Sequence, residues 1–150
     1  MRVLLFLTLI LGFLLAYLQY NPSYKLSVEA KYYYTIGEYN MAYNLANESL
    51  MLREYNTMAF HIKTRSGLTL EVIDFNLESE KFEKRIRNIL KKNEISRSDK
   101  LRTKMMSDVI ISKYYNLSLP MVEDEDIKEL ALKNLIKFKK INKQVIKALK

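Results

Sequence analysis

The C-terminal stretch of the chain decides its fold class. Residues 126–150 read DIKELALKNLIKFKKINKQVIKALK. Wound as a helix at about 100° per residue, the apolar side chains collect on one side and the lysines on the other. The apolar side comprises Ile127, Leu130, Ala131, Leu135, Phe138, Ile141, Val145, Ile146, Ala148 and Leu149. Only Leu132 and Ile136 fall on the lysine side, so the stretch predicts one amphipathic helix.

The lysine side of this helix carries most of the net charge of the chain. Residues 127–150 hold eight lysines and one acid and have a net charge of +7, whereas residues 1–126 carry only +1. Three roles are consistent with such a helix: it closes the core, binds a partner protein, or lies on an anionic membrane surface. For the second role, the candidate partner-binding residues are Lys133, Lys137, Lys140, Lys143 and Lys147.

The rest of the body is also predicted to be helical, because in no segment do apolar and polar residues alternate with a period of two. Spacing and breaks predict helices over about 24–36, 39–53, 56–75, 79–92 and 99–116. We expect Asn76 or Ser79 to cap the fourth of these and Asp99 to cap the fifth. The acids at 123–126 precede the last helix and complement the positive end of its dipole. The sequence therefore predicts an all-α protein, with residues 21–150 as one helical interaction domain.

The N-terminal segment predicts a membrane anchor. Val3 to Leu18 reads VLLFLTLILGFLLAYL, an apolar run of about 24 Å as a helix, which is short but adequate for a thin bilayer. A cleaved signal peptide and a buried core helix are the alternatives, but no A-x-A-like site follows the run. We expect residues 1–20 to form a single-pass anchor in a bacterial inner membrane. The small charge bias of the flanks favours a periplasmic body.

The stretch behind the anchor carries a repeat-like pattern. Residues 29–52 read EAKYYYTIGEYNMAYNLANESLML. Small, aromatic and apolar residues stand at helix-contact and turn positions: Ala30, Tyr33, Tyr34, Gly37, Tyr39, Ala42, Ser49, Leu50 and Leu52. This pattern resembles one tetratricopeptide repeat, a pair of antiparallel helices of about 34 residues. Glu29 and Glu54 depart from the family pattern, and it does not recur one repeat later, so the resemblance covers about 23–55.

The resemblance implies a binding surface. In tetratricopeptide proteins the inner face of the first helix usually lines a concave groove that binds peptides. On this chain the matching positions are Lys31, Tyr34 and Thr35, which the resemblance makes candidate partner-binding residues. It also implies that the later helices pack onto this pair, because one repeat cannot bury its apolar face alone.

Residue counts argue against most kinds of catalytic and metal-binding site. There is no Cys, one His (His61) and only three isolated Gly, so we predict no thiolate or multi-His metal site and no phosphate-cradling loop. No nucleophile–base pair can be proposed from the spacing. We therefore expect no enzyme activity, no cofactor and no small-molecule substrate. We expect no nucleic-acid binding either, because the positive charge is confined to one helix.

With these classes excluded, the sequence favours a protein that acts by binding other proteins. The expected function is that of a non-catalytic, membrane-anchored scaffold that docks onto or helps assemble a larger bacterial envelope complex, by analogy a flagellar motor or secretion-system accessory. The alternative is a lipid-binding or chaperone-like module on the cytoplasmic face that uses the lysine-rich helix.

Overall fold

The computed structural model describes residues 2–149 and, within the first helix, only part of the side chains. The side chains outside the description are those of Arg2, Leu4, Leu5, Phe13, Leu14, Leu15, Ala16, Leu18 and Gln19. The described residues form six α-helices and no strand, which confirms the predicted all-α class. The α-helices are α1 (Arg2–Tyr20), α2 (Pro22–Thr35), α3 (Tyr39–Leu52), α4 (Thr57–Leu90), α5 (Arg97–Asn116) and α6 (Glu125–Leu149), with a 3-10 turn at Leu119–Met121.

The chain divides into two compact units, Met1–Gly67 and Leu68–Lys150. In the first unit, α2 and α3 form an antiparallel hairpin whose contact surface is made of small side chains. The buried residues of the two helices are Ser23, Ser27, Ala30, Ala42, Ala46 and Ser49. Because none of these side chains is large, the two backbones can approach closely along the whole hairpin.

The turn between α2 and α3 depends on Gly37. Its φ is +83°, a left-handed value that costs glycine little and other residues more. The backbone N–H of Glu38 donates to Tyr33 O over 2.9 Å, and that of Gly37 donates to Tyr34 O over 3.2 Å. These bonds satisfy carbonyls that the end of a helix leaves open, and they turn the chain back on itself.

A buried polar network joins the far end of this hairpin to α4. The Asn56 side-chain amide donates to the hydroxyls of Ser23 over 2.9 Å, Ser49 over 3.1 Å and Ser27 over 3.3 Å. The Asn56 Oδ1 accepts from the backbone N–H of Ala59 and so caps α4. Each of these four polar side chains therefore finds a partner inside the first unit, as buried polar groups require.

The second unit is built on the later part of α4 together with α5 and α6. Its buried core consists of Val72, Phe75, Ile86, Ile110, Val122, Ala131 and Phe138. Lys100 at the start of α5 donates to Ala148 O at the end of α6, so these helices run antiparallel. Asn76 donates to Ile127 O, and Lys137 donates to Glu83 further along both helices, so α4 and α6 run parallel.

Two predicted helix boundaries are wrong. The chain does not break at 76–79, because α4 continues from Thr57 to Leu90. Asn76 does not cap a helix; its amide makes tertiary hydrogen bonds to α6 instead. The fifth helix begins at Arg97, and Ser96 caps it by accepting from the N–H of Asp99 over 3.1 Å.

Two buried hydroxyls lie on α4. Among the described residues, the Oγ atoms of Ser66 and Ser79 are the buried side-chain polar atoms without a hydrogen-bond partner. Ser79 was the other predicted cap, and it too lies inside the continuous helix. A buried hydroxyl without a partner loses its hydration and gains nothing in return.

Helix α1 exposes every side chain between Phe6 and Leu11. The exposed fractions at its N-terminal end include 74% for Val3 and 71% for Phe6. Within the part of the chain that the structure describes, no helix is both long and apolar enough to cross a membrane. The predicted membrane helix over residues 3–18 is therefore not shown by the structure.

Candidate partner-binding surface

The solvent-facing side of α6 brings several predicted binding residues together. Leu132, Ile136, Lys140, Lys143 and Lys147 follow one another along this side, which we call the outer α6 face. Ile136 is 60% exposed and Leu132 is 45% exposed. None of the three lysines has an acidic partner among the described residues. The outer α6 face therefore offers apolar contact area beside three uncompensated positive charges.

The other two predicted lysines of α6 are already paired. Lys133 Nζ lies 2.9 Å from Glu129 Oε1, in an ion pair that is well exposed to solvent. Lys137 Nζ lies 2.6 Å from Glu83 Oε2, and this contact joins α6 to α4. The hydrogen bond from Lys137 holds the pKa of Glu83 below its ordinary value; partial burial opposes this effect and a second bond from Arg87 adds to it.

The buried side of α6 contains two asparagines among its apolar residues. Its buried residues are Ala131, Asn134, Leu135, Phe138, Asn142 and Val145. Asn134 donates to Asn76 Oδ1 over 3.0 Å, and Asn142 donates to Asp108 Oδ1. This helix therefore closes the core of its unit, while Leu130 and Ile146 of the predicted apolar side are exposed by 49% and 40%.

The repeat-derived candidates lie at the end of α2, in the first unit. Lys31 and Thr35 are exposed, and the Thr35 hydroxyl donates to Tyr32 O over 2.7 Å. Tyr34 is partly buried against the alanine cluster, with its ring 5.5 Å from that of Tyr39. Lys31 thus has a free surface position, whereas Tyr34 also contributes to packing.

Sequence reasoning missed an apolar groove between α4 and α5. This α4–α5 groove has a volume of about 460 Å³ and is lined by Arg85, Asn88, Ile89, Arg102, Met105 and Met106. All six belong to the unit Leu68–Lys150. The available signal was the recurrence of arginine and apolar residues three or four positions apart on both helices. It went unnoticed because each helix contributes only half of the lining.

A second cleft lies between α4 and α6. It measures about 370 Å³ and is lined by Ile73, Asn76, Leu77, Glu80, Glu83, Ile127, Leu130, Asn134 and Lys137. Its charged side chains are mutually compensated, since Lys137 and Arg87 contact Glu83 and Lys84 contacts Glu80. Its two asparagines are hydrogen-bonded to each other, so these polar side chains already have a partner within the protein.

Two further titratable features are the acidic run at 123–126 and His61. Asp124 of the acidic run accepts from the N–H of Ile127 over 3.2 Å and so caps α6. His61 is exposed, with its ring 5.9 Å from that of Phe60. Within residues 2–149, no group of three His, Cys, Asp or Glu side chains is arranged to hold a metal ion.

Comparison with known proteins adds no relative. No protein-family model matches the chain, and neither the curated proteins nor the solved structures contain a match.

Proposed function

We propose that this chain is a non-catalytic interaction protein that is anchored in a bacterial inner membrane through residues 3–18 and docks onto a larger envelope complex. The observation that carries this proposal is the outer α6 face, where Lys140, Lys143 and Lys147 have no acidic partner among the described residues. Uncompensated charges next to exposed apolar area favour association with an acidic partner.

The proposed anchor is supported by α1. Its described apolar side chains are exposed, including Leu7 at 60% and Leu9 at 57%, which is unfavourable in water. A lipid environment would remove this exposure. The proposed periplasmic position of the body follows from the flanking charges, and a flagellar or secretion assembly is proposed by analogy alone.

The hairpin of α2 and α3 is proposed as a second docking surface. It carries the tetratricopeptide-like pattern, and Lys31 and Thr35 lie exposed near the end of α2. Tyr34 lies between them in sequence and is only partly buried, so part of its ring area remains available for contact.

The proposal is tested on the full-length chain in the cells that produce it. Membranes are solubilised in a mild detergent, and the size of the particle that contains the chain is measured on native gels. We expect the wild type in an assembly larger than itself. The variant K140E/K143E/K147E should appear as free chain, because three attractive charges become repulsive.

The matched control is K81E/K91E/R97E. These three exposed basic residues lie in the same unit, have no acidic partner among the described residues and are absent from the outer α6 face. The control should keep the large assembly. A wild type that migrates alone, or a K140E/K143E/K147E variant that stays assembled, contradicts the proposal.

The same three lysines also favour a second function, a lipid-binding or chaperone-like module on the cytoplasmic face. Anionic lipids attract basic helices by about 1 kcal/mol per lysine near the surface. If this function holds, K140E/K143E/K147E should reduce binding to vesicles that contain phosphatidylglycerol but not to neutral vesicles. Reporter fusions after Lys150 separate the two functions, since only a periplasmic reporter signal agrees with the envelope scaffold.

A further inference from the structure

The α4–α5 groove is an open, largely apolar depression with a volume of about 460 Å³. Ile89 and the two methionines, Met105 and Met106, supply its apolar surface. Methionine is flexible and polarisable, so a methionine-lined surface adapts to the shape of an apolar occupant.

The charge of the groove is positive and uncompensated. Arg85 and Arg102 line it, and neither has an acidic partner among the described residues. The Arg85 guanidinium carbon lies 5.7 Å from the centroid of the Phe82 ring, a contact that holds the side chain against α4. No acidic residue belongs to the lining. An occupant that carries carboxylates would therefore find partners that the chain itself does not provide.

The shape of the exposed surface beside the groove favours a helical occupant. On α5, Leu101, Met105 and Val109 are exposed by 47%, 67% and 42% at a spacing of four residues. This stripe extends about 12 Å, or two helical turns. Proline-rich segments prefer grooves lined with aromatic rings, and strand addition needs a free sheet edge. The lining has no aromatic residue, and the described residues form no strand.

We propose that the α4–α5 groove binds an acidic amphipathic helix of a partner protein. The apolar stripe of that helix packs against Ile89, Met105 and Met106, and its Asp or Glu side chains pair with Arg85 and Arg102. This inference rests on the proposed function only in taking the occupant to be a protein. It does not depend on the anchor, on the envelope complex or on the outer α6 face.

The test uses the full-length chain in detergent micelles and a phage-displayed library of random 16-residue helical peptides. Binders to the wild type are selected, and their dissociation constants are then measured on R85E/R102E. We expect the selected peptides to carry acidic residues beside apolar residues at helical spacing. Their dissociation constants should rise about tenfold or more on R85E/R102E, because two favourable charge pairs are replaced by repulsive ones.

Two controls make the result specific. K81E/R97E changes the same number of basic charges on the same two helices outside the groove, and it should bind the selected peptides as the wild type does. Replacing the acids of a selected peptide with arginine should restore its binding to R85E/R102E. Circular dichroism checks that both variants keep the helical content of the wild type.

Several outcomes overturn the inference. Selection that yields no groove-dependent peptide, or yields peptides without acidic residues, contradicts the proposed helix. If binding to vesicles that contain phosphatidylglycerol depends on Arg85 and Arg102, and no peptide shows this dependence, the groove is a lipid-binding site. Self-association that R85E/R102E abolishes assigns it to a second copy of the chain. None of these outcomes affects the assembly test of K140E/K143E/K147E, so the two proposals fail separately.

Discussion

The side-chain amide of Asn134 donates a hydrogen bond of 3.0 Å to Oδ1 of Asn76, and both residues are largely buried. Asn76 in turn donates to the backbone oxygen of Ile127 over 3.2 Å. These two bonds join the middle of α4 to the first turns of α6. They fix which residues of the two parallel helices lie side by side, since a shift of either helix would leave buried polar groups without partners.

Removing Asn76 should therefore destabilise the second unit. In N76A the Asn134 amide and the Ile127 carbonyl lose their partner, and we expect the free energy of unfolding to fall by about 1 to 3 kcal/mol. Urea unfolding followed by circular dichroism measures the change. N88A removes an exposed asparagine of the same helix and should change stability little. Equal losses in the two variants would contradict the assigned role.

The first unit should depend in the same way on Asn56. N56A removes three bonds to the hydroxyls of buried serines and the cap of α4, so we expect the free energy of unfolding to fall by about 2 kcal/mol or more. The exposed Asn40 of α3 provides the control variant, N40A. Hydrogen exchange of the α2 and α3 amides reports on this unit directly. Protection that is unchanged in N56A would exclude a stabilising role for the network.

Gly37 and Gly67 should respond differently to alanine. At Gly37 an added Cβ meets no atom within 4 Å, so the expected loss of about 1 kcal/mol in G37A comes from the left-handed backbone alone. At Gly67, inside α4, the added Cβ makes an ordinary contact of 3.4 Å with the Tyr43 ring. G67A should be neutral or up to about 1 kcal/mol more stable, because alanine favours the helix. Thermal melts of both variants test the difference, and a G67A variant that loses as much stability as G37A would contradict it.

Acid should weaken the second unit partly through Glu83. Its folded pKa lies below its ordinary value of 4.5, first because of the bond from Lys137. A depressed carboxyl pKa contributes stability that is complete above the unfolded value and is lost as pH falls through the folded pKa. We therefore expect E83Q to lower stability at neutral pH and to flatten its decline below about pH 4.5. The control is E129Q, which removes an ion pair with Lys133 in which both side chains are exposed to solvent. A decline as steep in E83Q as in the wild type would contradict the prediction.

Replacing Ser79 with alanine should stabilise the second unit. Its hydroxyl is buried without a partner among the described residues, so S79A removes the cost of dehydrating it and adds a better helix former. We expect stability to rise by about 1 kcal/mol. S112A, at an exposed serine of α5, isolates the effect of helix propensity. If S79A gains no more than S112A, the buried hydroxyl carries no penalty.

The sequence predicted α6 well because hydrophobic periodicity is strongest in a long helix that covers a core. Ala131, Leu135, Phe138 and Val145 are buried as their angular positions predict. Asn134 and Asn142 share that side, but hydropathy assigns polar residues to solvent. Their burial depends on partners on other helices, Asn76 and Asp108, which no local pattern reveals.

The wrong boundaries have a related cause. Asn and Ser favour helix N-caps when their side chains can bond the local backbone. Asn76 bonds to a distant helix instead, and Ser79 is simply buried, so neither interrupts α4. The α4–α5 groove escaped detection for a further reason: it exists only where two helices meet. Uncompensated lysines on α6, by contrast, could be predicted in part, because the segment has far more bases than acids.

The small-residue contact between α2 and α3 has a consequence for how this protein can vary during evolution. Ala30, Ala42 and Ala46 have no exposed surface, and a side chain larger than serine there would push the two helices apart. Substitutions that persist at these sites should be almost entirely to glycine or serine, whereas the exposed Tyr32 and Tyr55 can be exchanged widely. Among natural variants of this chain, the least conspicuous side chains of the hairpin should therefore change most slowly.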